Sequence, residues 1–74
     1  MYWVYVLRDQ HTGLHYGGST GDLERRLPEH AYMKPSHFLI HKEQFNTKEI
    51  AFRRELYLKS GNGRRYLKRI LAGV

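Results

Sequence analysis

The stretch HYGGST, residues 15–20, combines side chains that could do chemistry with a backbone that could admit a ligand. Tyr16 is followed by two glycines and then by two hydroxyl residues. One interpretation is that a glycine clears space beside Tyr16 for a substrate, because glycine lets another group approach the backbone closely. The other is that a strand simply ends here and turns into a helix, with Ser19 or Thr20 as a cap. The six residues alone leave both interpretations open.

Two pairs of histidines have the i, i+4 spacing of helical metal ligands, namely His11 with His15 and His37 with His41. Both pairs fall in segments predicted to be turn or strand, where side chains four residues apart do not converge as they do on a helix. We therefore expect no histidine metal site. The chain also lacks cysteine, which excludes disulfides, thiolate metal sites and a cysteine nucleophile, and which favours a reducing, cytoplasmic location.

The charge of the chain indicates a polyanionic partner. Its formal net charge is +6 and its pI is near 9.9. From residue 53 onwards a single acid, Glu55, stands among seven cationic side chains, a bias typical of nucleic-acid binding, although a solvated surface is the simpler alternative. These cations are Arg53, Arg54, Lys59, Arg64, Arg65, Lys68 and Arg69. No membrane span is predicted, because no apolar stretch approaches the roughly 20 residues that cross a bilayer. Binding to a membrane surface is disfavoured, because the basic residues lie among the core-forming apolar positions of a helix rather than opposite a large exposed apolar face.

The N-terminal half predicts a hairpin followed by a helix. Residues 2–8 are aromatic and β-branched and predict a strand buried on both faces. Gly13 supplies the positive φ of a short turn, and residues 14–18 form the returning strand. A helix follows, running to about His30, and Pro28 predicts a kink or an early end there. Its candidate N-caps are Ser19, Thr20 and Asp22.

The C-terminal half predicts one strand and two helices. Residues 37–45 alternate as a third strand whose apolar side carries Phe38, Ile40 and Phe45. A second helix runs to about residue 60, where the GNG sequence is expected to end it through a left-handed cap. Its start is assigned to Asn46 or Thr47, with Glu49 three residues after Asn46 as in a capping box, and a third helix is expected to close at Gly73.

These elements predict one small domain spanning residues 1–74. Its class is α+β, with a three-stranded, mainly antiparallel sheet flanked by three helices in the order ββαβαα. A chain of this length buries only about 60% of its unfolded surface, so its stability margin is small.

Five residues in this framework have a distinctive order and spacing. Tyr5 ends the triplet WVY on the first strand, and Tyr16 begins the triplet YGG after the hairpin. Arg26 follows ten residues after Tyr16, and His30 four residues later, both on the predicted first helix. The segment AFRRELYLK, residues 51–59, places Glu55 on the second helix. In these positions the chain resembles the GIY-YIG nucleases, most closely their small single-domain members, from Tyr2 to about Ile70.

The resemblance implies a metal-dependent endonuclease that hydrolyses DNA phosphodiester bonds. Glu55 is the implied metal ligand, and Mg²⁺, with Mn²⁺ as a second possibility, suits a site that water and a phosphate complete. Arg26 is implied to stabilise charge on the reacting phosphate, for which its planar fork is well suited. Either Tyr5 or Tyr16 is the implied base, and His30 relays the proton or binds a phosphate.

A further set of residues is expected to contact the DNA. Gly18 is expected to let a phosphate approach, while the basic run after residue 52 holds the DNA backbone. The expected DNA-contacting residues are Gly18, Ser19, Thr20, Arg53, Arg54, Lys59, Arg64, Arg65 and Lys68. No base-reading set is visible, so we expect little intrinsic sequence specificity, and a partner protein could supply it.

Two departures from the family pattern favour a second hypothesis. Gly17 replaces a common β-branched residue, and the segment between His30 and Phe38 is short, whereas Trp3 in place of a common glycine is a frequent variation among the small members. Glycine in a strand weakens packing and rigidity. The alternative is therefore a catalytically weak or inactive nucleic-acid-binding domain with the same fold.

Overall fold

The computed structural model describes residues 1–72 and has the predicted order of elements. The α+β class and the ββαβαα order are thus confirmed. None of the described helices is long and apolar enough to cross a bilayer. The predicted closure of the last helix at Gly73 lies outside the described residues. The elements are β1 (Tyr2–Asp9), β2 (His15–Thr20), α1 (Leu23–Met33), β3 (His37–Phe45), α2 (Lys48–Lys59) and α3 (Gly61–Ala72).

The three strands form one antiparallel sheet in the order β2-β1-β3, so that β1 is central and β2 lies at an edge. Because side chains alternate along a strand, the two faces of β1 contact different helices. Tyr5 and Leu7 pack with Leu23 of α1, and we call this side of the sheet the α1 layer. Val4 and Val6 pack on the other side, which we call the α2–α3 layer. The prediction that β1 is buried on both faces is confirmed.

The register of β2 distributes the HYGGST residues between these two layers. Gly18 pairs with Tyr5 and Tyr16 with Leu7, so both belong to the α1 layer. Ser19 pairs with Val4 and Gly17 with Val6, so both belong to the α2–α3 layer. The stretch therefore presents different residues to the two sides of an edge strand.

The α2–α3 layer contains the larger apolar core. Burying one aliphatic side chain of this kind contributes roughly 1.5–3 kcal/mol, and residues from β1, α2 and α3 all contribute. The fully buried members are Val4, Val6, Ala51, Leu58 and Leu67. The α1 layer holds a smaller cluster, Tyr5, Leu7 and Leu23, which Trp3 and Leu27 partly cover.

A β-bulge in β3 changes which side chains face each layer. Val6 pairs with His41 and Leu7 with Leu39, so Ile40 has no partner on β1. Ile40, like Phe45, packs against the larger core as predicted. The prediction for Phe38 is wrong, because this side chain is 46% exposed.

The exposure of Phe38 follows from its place in the sheet. It pairs with Arg8, at the exposed end of β1 beyond the buried residues. The bulge also separates His37 from His41. His37 pairs with Asp9 and faces the α1 layer, whereas His41 pairs with Val6 and faces the α2–α3 layer.

The hairpin and α1 begin as the sequence predicts, but α1 continues further. Gly13 has a φ of +75°, as the turn requires. Asp22 is the N-cap of α1, and its side chain accepts a hydrogen bond from the backbone of Arg25. The predicted early end at Pro28 is wrong, since α1 continues to Met33. Pro28 lies on the exposed side of the helix, where water can satisfy the carbonyl that its missing N–H leaves free.

The junction between α2 and α3 differs from the prediction. Thr47 is the N-cap of α2 and accepts a hydrogen bond from the backbone of Ile50. Because the helix begins one residue later than the Asn46 alternative requires, Glu49 is not at the capping-box position. The GNG sequence does not form a left-handed cap. It forms the first turn of α3, and Ser60 connects the two helices with an extended backbone.

Gly63 explains why glycine occurs in this turn. A Cβ atom there would overlap the carbonyl oxygen of Tyr57 and the Cα atom of Leu58. The Ser60 hydroxyl accepts a hydrogen bond from the backbone of Gly63, at 3.2 Å. The glycine therefore allows α3 to turn back against the end of α2, which positions the basic face of α3 beside the sheet.

Candidate active site

Tyr5 and Gly18 form the centre of the α1 layer. Tyr5 is 1% exposed, and its ring lies across the backbone of its strand partner Gly18. A Cβ atom on residue 18 would be 2.5 Å from the Tyr5 hydroxyl oxygen and 2.7 Å from its Cζ. Gly18 is thus required for the position of the Tyr5 hydroxyl, which the sequence did not predict.

Arg26 on α1 contacts that hydroxyl. Its Nε donates a hydrogen bond to the Tyr5 oxygen, at 3.3 Å. This hydrogen bond raises the pKa of the Arg26 guanidinium above its ordinary value. Arg25 points elsewhere, since its Nε lies 3.1 Å from Glu29 and its side chain is 77% exposed. The helix therefore directs one arginine of the pair to the sheet and the other to solvent.

Tyr16, His30 and His37 form an aromatic cluster beside this pair. The ring centroid of Tyr16 lies 5.1 Å from that of His30 and 6.0 Å from that of His37. The two imidazoles stack at 5.0 Å, and His30 Nε2 is 2.8 Å from His37 Nδ1. One nitrogen of this hydrogen bond must carry a hydrogen and the other a lone pair. The contact is therefore lost if both rings are protonated.

Burial and charge both keep His30 neutral. Burial lowers its pKa most, and the positive charges of His37, Arg26 and Lys34 lower it further. At neutral pH a neutral imidazole can accept a proton. His37 also lies near a carboxylate, with its Nε2 3.5 Å from Asp9 Oδ2.

His37 is a site residue that the sequence analysis missed. It was considered only as a metal ligand paired with His41, and the two face opposite layers. His37 is the first residue of β3 and pairs with Asp9. Its proximity to Tyr16, however, depends on the bulge at Ile40. The spacing of the sequence does not contain that information.

A cavity of about 380 Å³ opens over the cluster. Its walls include the side chains that could contact a phosphate and those that could accept a proton. They are Tyr16, Arg26, Glu29, His30, Met33, Lys34 and His37. Tyr16 is 48% exposed and faces this space, whereas Tyr5 is buried with its hydroxyl bound to Arg26.

Glu55 lies on the other side of the edge strand. Ser19 donates a hydrogen bond to its Oε1, at 2.6 Å, and Lys59 Nζ donates to its Oε2, also at 2.6 Å. Ser19 belongs to the α2–α3 layer, so Glu55 and Tyr5 approach β2 from opposite faces. Glu55 and Lys59 thus form an i, i+4 ion pair on α2.

These contacts keep Glu55 ionised. Burial alone would raise its pKa, but the hydrogen bonds from Lys59 and Ser19 and the charge of Lys59 outweigh burial and lower the pKa. Within residues 1–72, no cluster of three or more histidine, aspartate or glutamate side chains could hold a metal ion. One carboxylate beside a hydroxyl still fits Mg²⁺, which commonly takes one or two carboxylates and completes its coordination with water and phosphate.

The stem of Lys59 lies against Gly17 in the α2–α3 layer. A Cβ atom on Gly17 would lie 3.6 Å from Lys59 Cε, which is ordinary contact rather than overlap. The two adjacent glycines thus differ, because the Tyr5 ring requires glycine at position 18, whereas Lys59 leaves room for a side chain at position 17.

The residues expected to contact DNA have different surroundings. Thr20 accepts a hydrogen bond from the backbone of Asp22, which orders the start of α1. Arg54 is engaged by Glu43, at 2.6 and 2.9 Å, and lies about 5 Å from the rings of Tyr57 and Tyr66. Within the described part of the chain, no ion pair includes the exposed side chains of Arg53, Arg64, Arg65 and Lys68.

A comparison with family models agrees with this architecture. The model described as GIY-YIG catalytic domain matches residues 1–68, nearly the whole chain. No curated protein and no solved structure matches the chain significantly. With the match covering both tyrosine triplets, Arg26, His30 and Glu55, the chain belongs to the GIY-YIG nuclease family.

Proposed function

We propose that this chain is a metal-dependent endonuclease that hydrolyses DNA phosphodiester bonds with little intrinsic sequence specificity. The observation that carries the proposal is the Tyr5–Arg26 hydrogen bond held across Gly18, beside a cavity that Tyr16 and His30 line. A nuclease needs a fixed cation for the phosphate and a proton acceptor for the attacking water. The family membership supports the same reaction class.

Arg26 binds the phosphate in this proposal. Its Nε is held by Tyr5, which leaves the terminal N–H groups of the guanidinium for two phosphate oxygens. Because Tyr5 is buried and immobile, the arginine is positioned before the substrate binds. Such a preorganised cation stabilises charge that develops on the phosphate in the transition state.

Tyr16 and His30 accept the proton of the attacking water in this proposal. Tyr16 is the exposed tyrosine of the two and lines the cavity where a water molecule would lie. A free tyrosine is a poor base at neutral pH, since its ordinary pKa is about 10. A neutral His30 in ring contact with Tyr16 gives the proton an acceptor, and His37 fixes the orientation of His30.

Glu55 would hold the divalent cation, with Ser19 as its neighbour. When bound, Mg²⁺ or Mn²⁺ supplies Lewis-acid stabilisation of phosphate and leaving-group charge. Lys59 balances the Glu55 carboxylate without a metal and lies at the same strand edge. The substrate backbone must reach both faces of β2, which is possible at a strand with no neighbour beyond it.

A second candidate function is a nucleic-acid-binding domain without turnover. It is favoured by the two hydrogen bonds that occupy both oxygens of Glu55. A cation would have to share these oxygens with Lys59, whose ammonium group repels it. If the Lys59 pair is too stable for that, the fold binds DNA and does not cut it.

Nicking of supercoiled plasmid and of branched DNA with Mg²⁺ or Mn²⁺ tests the proposal. We expect Glu55→Gln and Arg26→Gln each to reduce cleavage by roughly 10²–10³-fold, the usual loss on removing a preorganised electrostatic contact. Arg25→Gln and Glu49→Gln are matched controls, because they make the same changes on the exposed sides of α1 and α2.

The outcomes distinguish the two functions. Wild-type protein that binds DNA but cuts none of these substrates with either metal would establish the binding function instead. Cleavage that survives both site substitutions would leave a nuclease whose site lies elsewhere. A change in the controls as large as in the site variants would indicate a general loss of charge rather than loss of a site.

A further inference from the structure

A second groove lies on the opposite side of β2 from Tyr16. It runs between the end of the β1–β2 hairpin and α3 and has a volume of about 580 Å³. We call it the hairpin groove. Its walls are Arg8, Gly13, Leu14, His15, Arg64, Lys68 and Leu71.

The hairpin groove is lined by cations and by no acid. Arg8 and His15 are cross-strand partners, and Arg64 and Lys68 are one helical turn apart on α3. Within residues 1–72 no ion pair includes Arg8, Arg64 or Lys68. Loss of hydration, and then the positive charges of Arg8 and Arg64, lower the pKa of His15, which shows that these charges converge.

This convergence has a cost in the protein alone. Like charges at i, i+4 on a helix, such as Arg64 and Lys68, are unfavourable. Arg54 and Lys59, by contrast, each have a carboxylate within 2.6 Å. An arrangement of cations that repel one another and lack counter-charges is stabilised by an anion from outside.

The groove is continuous with the edge strand of the candidate active site. Gly17 and His15 line a smaller cavity together with Lys59 and Arg64. Following β2 from Ser19 to His15 covers four residues, or roughly 13 Å at about 3.3 Å per residue. Duplex DNA rises about 3.4 Å per nucleotide along each strand. The hairpin groove is thus about four nucleotides from Ser19, which binds Glu55.

We propose that the hairpin groove holds a backbone phosphate of the substrate DNA through Arg8, Arg64 and Lys68. This inference rests on the proposed function, since it places part of the substrate that the enzyme cuts. The Arg8 guanidinium lies beside Gly13 at the turn, where an added Cβ would be 3.4 Å from it, and so it faces the same groove as Arg64 and Lys68. Leu14 and Leu71 complete the walls beside these cations.

The test is the salt dependence of binding to a labelled DNA duplex, measured by fluorescence anisotropy with EDTA present so that no cleavage occurs. The variant Arg8→Gln/Lys68→Gln is compared with wild type and with Lys48→Gln, an exposed lysine on α2 away from the groove. We expect the double variant to bind roughly tenfold more weakly at 0.1 M salt, and the slope of log K against log salt to fall by about 0.9 for the lost phosphate contact. Lys48→Gln should change binding less than twofold.

Two further measurements separate this inference from the proposed function. The double variant should raise the KM of cleavage and leave kcat within about twofold, because the lost contact is distant from the reacting phosphate. Its unfolding midpoint should be unchanged or higher, since like charges have been removed. If the double variant binds DNA with the same affinity and salt slope as Lys48→Gln, the groove does not hold a phosphate. Cleavage by the wild-type protein would still support the proposed function in that case. If wild-type protein shows no salt-dependent DNA binding, the phosphate site in the hairpin groove is wrong. If wild-type protein also fails to cleave DNA, the proposed endonuclease function is wrong as well.

Discussion

The Tyr5 ring lies so close to the backbone of Gly18 that a methyl group on residue 18 would be 2.5 Å from the tyrosine oxygen. The two residues are cross-strand partners in the centre of the α1 layer. Since Arg26 binds the same oxygen, the absence of a side chain at position 18 helps to position Arg26, the arginine that we propose binds the phosphate. Gly18 therefore affects the position of Arg26 through the Tyr5 ring.

We expect Gly18→Ala to lower both cleavage and stability. The added methyl must displace the buried Tyr5 ring, and overpacking of this kind costs about 1–3 kcal/mol. Gly17→Ala is the matched control, because its methyl meets only the flexible Lys59 stem at ordinary distance. It should be neutral or stabilise the strand by up to about 1 kcal/mol. Urea unfolding measures the stability of each variant, and plasmid nicking measures its cleavage. Equal effects of Gly18→Ala and Gly17→Ala would contradict the prediction that only position 18 requires glycine.

The contact between α2 and α3 predicts a similar contrast between two other glycines. Gly63→Ala should destabilise the domain strongly, because the methyl overlaps the backbone of Tyr57 and Leu58, which cannot move as a side chain can. A methyl on Gly61 meets nothing within 4 Å. We expect Gly63→Ala to lower the midpoint of thermal unfolding by roughly 10 °C, at 4–8 °C per kcal/mol for a domain of this size.

Gly61→Ala is the control for that experiment, since it lies in the same helical turn. Its midpoint should remain within a few degrees of wild type. A Gly63→Ala protein as stable as Gly61→Ala would show that the helices are further apart than described here.

The Glu43–Arg54 pair predicts a loss of stability in acid. The hydrogen bond from Arg54 lowers the pKa of Glu43 below its ordinary value, with a further contribution from His41. A carboxylate whose pKa is lower in the folded state stabilises the fold above its unfolded pKa, near 4.5, and this contribution is lost as pH falls through the folded pKa. The free energy of unfolding should therefore decrease below about pH 5.

Glu43→Gln tests this linkage. At pH 7 it should cost about 1–3 kcal/mol, the range for a hydrogen bond to a charged group. Below pH 4 the difference from wild type should be smaller, because the carboxyl of the unfolded chain takes up a proton below its pKa of about 4.5. Glu24→Gln, an exposed acid on α1, is the control. A difference from wild type that is the same at both pH values would show that the pair does not contribute through ionisation.

Local sequence signals predicted most of the fold. The aromatic and β-branched run of β1, the Gly13 turn and the charged helix starts each determine their element through contacts within a few residues. The errors lie where a distant contact decides the outcome. GNG has the composition of a helix end, yet Gly63 is needed for its fit against Tyr57, and Pro28 is tolerated because it happens to face water.

The site was predictable in composition but not in arrangement. The spacing of Tyr5, Tyr16, Arg26 and His30 follows from a hairpin and one helix, which are local. The position of Glu55 on the opposite face of β2 follows from the strand register, and that of His37 from a bulge. Neither register nor bulge can be read from residue types, because both depend on how the whole sheet packs.

His30 should remain neutral to a lower pH than an ordinary histidine. Burial, followed by the charges of His37, Arg26 and Lys34, lowers its pKa below the ordinary histidine value of 6.5. The unfolded chain therefore binds a proton at a higher pH than the folded chain, so the fold loses stability as pH falls through about 6.5. Above that pH both states are neutral at His30 and the contribution is constant.

NMR titration of the imidazole Cε1 protons measures this pKa directly, and His30→Gln assigns the resonance by its absence. We expect the folded value to lie below that of the same histidine in urea, and His30→Gln to reduce the slope of stability against pH between about pH 5 and 7. If Tyr16 passes its proton to His30, cleavage should fall in the same range as His30 becomes protonated. A folded pKa at or above the value in urea would exclude a neutral, buried His30 and with it the proton acceptor that Tyr16 requires.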